Sequence, residues 1–158
     1  MTHIADLALW MLDDVPVDIF AMARGGLLES KGFFTRDLVK ATMKLSGGAI
    51  IHLESSWILT RNWRNPVNDM WLSIQGEEGR IDVTADEENI SITSRHFETP
   101  FVLLEHTEDK PIHDFITCVL QDLPVPVSGE EALLATQAVE AVVKSFRENR
   151  LVRFDEIG

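Results

Sequence analysis

The residues best suited to chemistry are few and widely spaced. Arg61-Asn62-Trp63-Arg64 sets two cations and an indole into a polar break bounded by Pro66. Guanidinium and aromatic groups suit a sugar or carboxylate ligand, so Arg61, Trp63 and Arg64 are candidate substrate-binding residues. A plain charged surface loop is the competing reading. His113 and Asp114 stand beside Phe115 at the start of an expected helix. His52, His96 and His106 lack the i, i+4 spacing or Cys/His clustering of a metal site, so none is expected. No Gly-x-Ser-x-Gly elbow supports a serine nucleophile. Gly25-Gly26 precede no expected helix and Gly76-x-x-Gly79 lies in an expected hairpin, so no dinucleotide site is expected in this chain.

The elements that must carry these residues follow from periodicity. Ile4, Leu7, Ala8 and Met11 repeat at i, i+3, i+4, i+7, which predicts a helix over 3–12 that Asp13-Asp14 and Pro16 end. Val17–Ala23 reads as a short strand. Val39, Ala41, Met43 and Leu45 alternate with polar residues, and Ser46-Gly47-Gly48 supplies a tight turn into a strand over Ala49–Leu59. Met70–Gln75, Arg80–Thr84, Asn89–Ser94 and Phe101–Glu105 continue as a meander. Asp109 and Pro111 start a second helix with an apolar stripe of Ile112, Phe115, Ile116, Val119 and Leu120. Ser128-Gly-Glu-Glu131 is a capping box opening a third, with Ala135, Ala138, Val139, Val142 and Phe146 on one face and Asn149 as its left-handed cap. Leu151–Phe154 is a final strand. The expected fold is α+β: one mostly antiparallel open sheet of at least five strands, three helices on one face, and the other face free for oligomerisation.

Composition narrows the partners. A net charge of −12 on 158 residues disfavours nucleic acid, because a phosphate backbone needs clustered cations to displace its counterions. No apolar run approaches the roughly 20 residues of a spanning helix, and Asp6 sits where a basic leader would be, so neither a membrane span nor a signal peptide is expected. A lone Cys118 fits a reducing cytoplasm.

His3, Asp6, Leu7 and Trp10 together resemble the helix that opens the second domain of the glucose–fructose oxidoreductase / inositol dehydrogenase / MocA family. That helix reads Asp-x-x-x-His-x-x-Asp-Leu-x-x-Trp, and the leading Asp would fall before Met1. Met70–Val83 resembles the family's strand, Gly-x-x-Gly, strand element. Phe115 through Pro124-Val-Pro-Val-Ser128-Gly to Ser145 and Val152-Arg-Phe154 resembles its closing pattern. The resemblance implies a single C-terminal substrate-side and oligomerisation domain over 1–158, without the Rossmann domain that holds NAD or NADP in intact relatives. It implies that His3 descends from an acid/base for a substrate hydroxyl, a role suited to an imidazole. Here, without that Asp and the first domain, His3 is expected to be inert. His113 would line the same pocket of an intact enzyme or stand as an exposed helix residue. Asp6 reads as a helix-start carboxylate favoured by the macrodipole.

The resulting expectation is part of an NAD(P)-dependent oxidoreductase for a sugar, cyclitol or related polyol, inactive alone and holding no cofactor itself. Ile50 and Ile58 fall opposite the Ile51, Leu53 and Trp57 face, so a homodimer or higher oligomer through the sheet face is expected. The alternative is a free-standing, non-catalytic module that dimerises or binds a small ligand.

Overall fold

Alternation over 38–56 folds into the core sheet of the first of two compact units, Met1–Ile58 with Val127–Gly158. The second unit is Leu59–Pro126. The computed structural model describes residues 1–58, 71–84, 89–94, 98–103 and 110–158.

In the first unit, β1 (Pro16–Arg24), β2 (Leu38–Leu45), β3 (Ile50–Ser56) and β8 (Val152–Arg153) form an antiparallel sheet in the order β3-β2-β1-β8. The register sets Met43 between Ile19 and Ile51, and Ala41 between Ala21 and Leu53. All six are buried, and they form one face of the core. The β2–β3 turn closes as expected: the Gly48 N–H donates to the Leu45 carbonyl at 3.1 Å, and Gly48 has φ of 94°. Asp14 fastens that turn from outside, accepting the Gly47 N–H at 2.8 Å and the Ser46 hydroxyl. The Ser46 hydroxyl first, then the Gly47 and Val15 amides, hold the Asp14 carboxyl below its usual range.

Two helices cover this face. α1 (Thr2–Leu12) packs on α3 (Gly129–Glu148), which lies on β1 and β8. Small residues make the approach close: Ala5 and Ala8 from α1 and Ala135, Ala138 and Ala141 from α3 are all buried. The capping box is present, with Ser128 Oγ accepting the Glu131 N–H at 3.1 Å and the Glu131 carboxylate accepting the Ser128 N–H at 2.6 Å. Asn149 closes α3 at φ 50°. The phase of α1 differs from expectation. Ala5, Ala8 and Leu9 are buried with Ile4 and Leu12 beside them, while Met11 is 37% exposed. The buried arc is turned because Leu7, Trp10 and Met11 give the helix a second apolar side.

The open face reads in rows across the strands. Phe20, Thr42 and His52 make one row, with Thr42 Oγ1 and His52 Nδ1 hydrogen-bonded at 3.0 Å. Met22, Lys40 and Glu54 make the next, with a 2.9 Å Lys40–Glu54 ion pair. Phe20, Met22 and Ile50 are exposed there.

The second unit holds β4 (Trp71–Gln75), β5 (Gly79–Thr84), β6 (Asn89–Ser94) and β7 (Glu98–Leu103) as an antiparallel meander in sequence order, and α2 (Lys110–Gln121). The second glycine of Gly-x-x-Gly has a steric cause: a Cβ on Gly79 would lie 2.3 Å from the Thr93 carbonyl oxygen across the ladder.

The α+β class with antiparallel open sheets is as expected, but among the described residues the strands expected in one sheet of at least five fall into two sheets of four, the first of them covered by α1 and α3. Alternation assigns faces within a strand but not which edges meet, so strand pairing was the weaker inference. Likewise α2 has its expected stripe, but Ile112, Phe115, Ile116, Val119 and Leu120 stand exposed and Cys118 on its flank is buried. Among the described residues no helix is long and apolar enough to cross a membrane.

Candidate functional site

At about 100° per residue along α1, His3, Asp6, Leu7 and Trp10 share a face opposite Ala5, Ala8, Leu9 and Leu12. The inner face is locked into the core, so the outer one is held in a fixed direction without a packing role of its own in the first unit. His3 is exposed, Asp6 and Leu7 are half-buried, and Trp10 is 70% exposed. The stripe therefore combines an imidazole, a carboxylate and an indole. An imidazole there can accept or release a proton. The Asp6 carboxylate lies one turn further along. The indole offers a flat apolar wall against which a ring-shaped or extended polyol can lie.

Asp6 departs from its expected reading. The helix begins at Thr2, no acid occupies its first turn, and Asp6 falls in the second, beyond the reach of the macrodipole. A first-turn carboxylate would be explained by helix stability; this one is free for a role at the face. No described residue hydrogen-bonds or ion-pairs with the His3 ring, so nothing in the described part of the chain orients the imidazole.

His113 is on α2 in the second unit, with its side chain 82% exposed and Nδ1 3.8 Å from the Asp114 carboxylate. His3 and His113 belong to different units. Arg61, Trp63 and Arg64 lie outside the described residues. Among the described residues no group of three or more His, Cys, Asp or Glu side chains converges as a metal site would require.

The sequence reading gave no role to two buried polar residues, Ser145, which it noted only within the closing pattern, and Asp37. Ser145, fully buried on α3, accepts the Ala21 N–H at 2.9 Å and donates to the Arg150 carbonyl at 2.6 Å. Asp37, 1% exposed, accepts the Leu28 N–H at 2.7 Å and the Leu27 N–H at 2.8 Å. The Leu28 amide and then the Leu27 amide hold its carboxyl below the usual range. Asp37 decides a question about cofactors. Gly25-Gly26 do lead from a strand into a 3-10 turn, Glu29–Lys31, but the amides that could cradle a phosphate there are already filled by a carboxylate from the chain itself. The Leu27 and Leu28 amides of this turn are therefore not open to a cofactor phosphate.

The comparisons with known proteins agree with this architecture. A family model described as the oxidoreductase family, C-terminal alpha/beta domain, matches residues 1–154. A putative oxidoreductase from Thermotoga maritima shares the fold at a TM-score of 0.82 and 17% identity, covering 96% of this chain and 45% of that one. An aldose-aldose oxidoreductase from Caulobacter crescentus, complexed with glycerol, gives 0.79 and 15%, over 96% and 45%. An oxidoreductase from Agrobacterium radiobacter, in complex with NAD+, L-tartaric acid and magnesium, gives 0.79 and 17%, over 99% and 48%. The chain thus spans a little under half the length of these solved relatives. No curated protein matches it. The family model spans both the His3–Trp10 face and the Gly79 hairpin, and the chain belongs to the glucose–fructose oxidoreductase / inositol dehydrogenase / MocA family, whose oxidoreductase C-terminal α/β domain it matches.

Proposed function

We propose that this chain forms the substrate side of an NAD(P)-dependent oxidoreductase acting on a sugar, cyclitol or related polyol. The observation that carries the reading is the outward α1 face, where His3, Asp6 and Trp10 are held by a helix whose opposite side is locked into the core. The relatives bound to glycerol and to L-tartaric acid with NAD+ support a polyhydroxylated substrate. In this reading His3 carries the proton of the substrate hydroxyl and Trp10 is an apolar wall beside it, while Arg61, Trp63, Arg64 and His113 are proposed as substrate-binding residues on their chemistry alone. The nicotinamide is in this reading held by a separate cofactor domain, and the chain alone is expected to show no turnover.

The test joins the chain to a cofactor domain and follows nicotinamide absorbance with NAD+ and NADP+ against sugars, cyclitols and polyols. Turnover is expected with one of these classes, and His3→Asn should lower kcat by on the order of 100-fold or more, the usual share of a general acid/base. Full activity in His3→Asn, or turnover confined to substrates without a hydroxyl, would refute the assignment.

The same reading includes self-association. Phe20, Met22 and Ile50 expose apolar surface on the open sheet face, and the Lys40–Glu54 and Thr42–His52 pairs satisfy much of the polar ladder between them. Two copies meeting there across a two-fold axis would hide that surface.

A further inference from the structure

The meander of the second unit sorts its side chains by face. Strand alternation puts Leu72, Ile74, Ile81, Val83 and Ile92 on one side, and Ser73, Gln75, Arg80, Asp82, Ser91 and Thr93 on the other. Among the described side chains of these strands Trp71 alone breaks the pattern. It shares the polar side with Ser73 and Gln75 and is 58% exposed. A sheet with one solvated face needs polar groups there, not an indole. A local rule broken with no packing gained is where function is expected.

The register shows what surrounds that indole. Ser73, Asp82 and Ser91 make one row across β4, β5 and β6, and Gln75, Arg80 and Thr93 make the next. Same-face neighbours stand about 7 Å apart along a strand and about 5 Å apart across strands, so the two rows with Trp71 tile roughly 14 by 10 Å. Arg80 Nε and Nη2 both donate to Asp82 Oδ1, at 2.9 and 2.8 Å. The Arg80 guanidinium first, then the Ser73 hydroxyl, hold the Asp82 carboxyl below its usual range. The pair cancels its own charge, yet leaves Arg80 Nη1 as a donor and lone pairs on the carboxylate as acceptors. Gln75, Ser91 and Thr93 have no hydrogen-bond partner among the described residues. Glu77 and Glu78, in the β4–β5 turn, add negative charge nearby and disfavour an anion.

We infer that the polar face of β4–β6 is a binding platform for an uncharged saccharide, separate from the α1 face. One sugar ring lays its C–H side on the Trp71 indole, which offers a flat apolar surface. The hydroxyls of that ring and the next take hydrogen bonds from Arg80 and Gln75 and give them to Asp82, Ser91 and Thr93. The two rows have length for two rings, so a disaccharide binds more tightly than a monosaccharide.

NMR titration of the whole chain with maltose, glucose and glucose 6-phosphate tests this. The Trp71 indole N–H and the Ser73, Asp82, Ser91 and Thr93 amides should shift together and saturably, with maltose tightest and glucose 6-phosphate weakest. Trp71→Ala should raise the maltose Kd about tenfold, and Trp71→Phe, which keeps an aromatic surface, should recover most of it. Trp71 is largely exposed, and an unchanged melting temperature confirms that each variant folds. His3→Asn should leave the shifts as they are. Three results would each overturn the platform: no saturable shift with maltose, wild-type affinity in Trp71→Ala, or tighter binding of glucose 6-phosphate than of maltose. Shifts that centre on α1 and vanish in His3→Asn would overturn it too, while supporting the α1 reading.

Discussion

Replacing Ser145 with alanine removes one oxygen atom, yet that oxygen completes the sheet. β8 pairs with β1 only at Asp18 and Ile19, so the ladder ends before Ala21 and leaves its N–H facing protein interior. Ser145 Oγ takes its place at 2.9 Å, and the hydroxyl proton goes on to the Arg150 carbonyl at 2.6 Å, tying the end of α3 to the chain that turns into β8. In Ser145→Ala the Ala21 N–H is left buried and unpaired, at a cost of about 1–3 kcal/mol. The Arg150 carbonyl, only partly buried, recovers most of its loss by binding water. Alanine returns about 0.5 kcal/mol of helix propensity. The net loss is about 1.5 kcal/mol, or roughly 3–6 °C in Tm for a chain of this size. Urea denaturation should show a lower midpoint at unchanged slope, and hydrogen exchange should show the Ala21 amide losing protection. A loss under about 0.5 kcal/mol, with the Ala21 amide still protected, would show that the hydroxyl is not what satisfies β1, whatever the range allowed for one buried donor.

Gly79→Ala should cost about 1–3 kcal/mol, the usual penalty of forced overpacking, because its Cβ meets the Thr93 carbonyl at 2.3 Å; a neutral effect on thermal unfolding would contradict the close approach. Ser128→Ala should cost about 1 kcal/mol by opening the capping box, read as increased fraying of Gly129–Ala132 in hydrogen exchange; unaltered exchange there would refute it. The Glu156 carboxyl is pushed down to about 2, by Arg150 first and then by the Arg153 amide. Its contribution is therefore full above the ordinary value of 4.5 and lost as pH falls toward 2. Glu156→Gln should accordingly flatten the fall in Tm between those pH values, and an unchanged acid limb would refute a stabilising role for the Arg150–Glu156 ion pair. The isolated chain should bind neither NAD(H) nor NADP(H), since Asp37 fills the Gly25-Gly26 turn that follows β1; stoichiometric micromolar binding in calorimetry would overturn this.

What was legible in the sequence was local. The Ser128–Glu131 box, the left-handed Asn149 and the Ser46–Gly48 turn each depend on residues within a few positions, and each forms as its spacing implies. The pairings of Asp37 and Ser145 were illegible for the opposite reason: Asp37 holds amides 9 to 10 residues away and Ser145 an amide 124 residues away, contacts that no spacing rule gives. The candidate site was half legible. The family resemblance marked His3, Asp6, Leu7 and Trp10 as a unit, while Leu7 and Met11 misled the phase of α1, because apolar side chains on both sides of a helix blur its moment. Their outward direction explains the ambiguity. A helix that only closed a core would have a polar outer face, whereas Leu7, Trp10 and Met11 keep this one apolar beside an imidazole. Sequence rules fail where a residue answers to something other than the core of its own unit, and on α1 that failure falls on the face that carries the proposed chemistry.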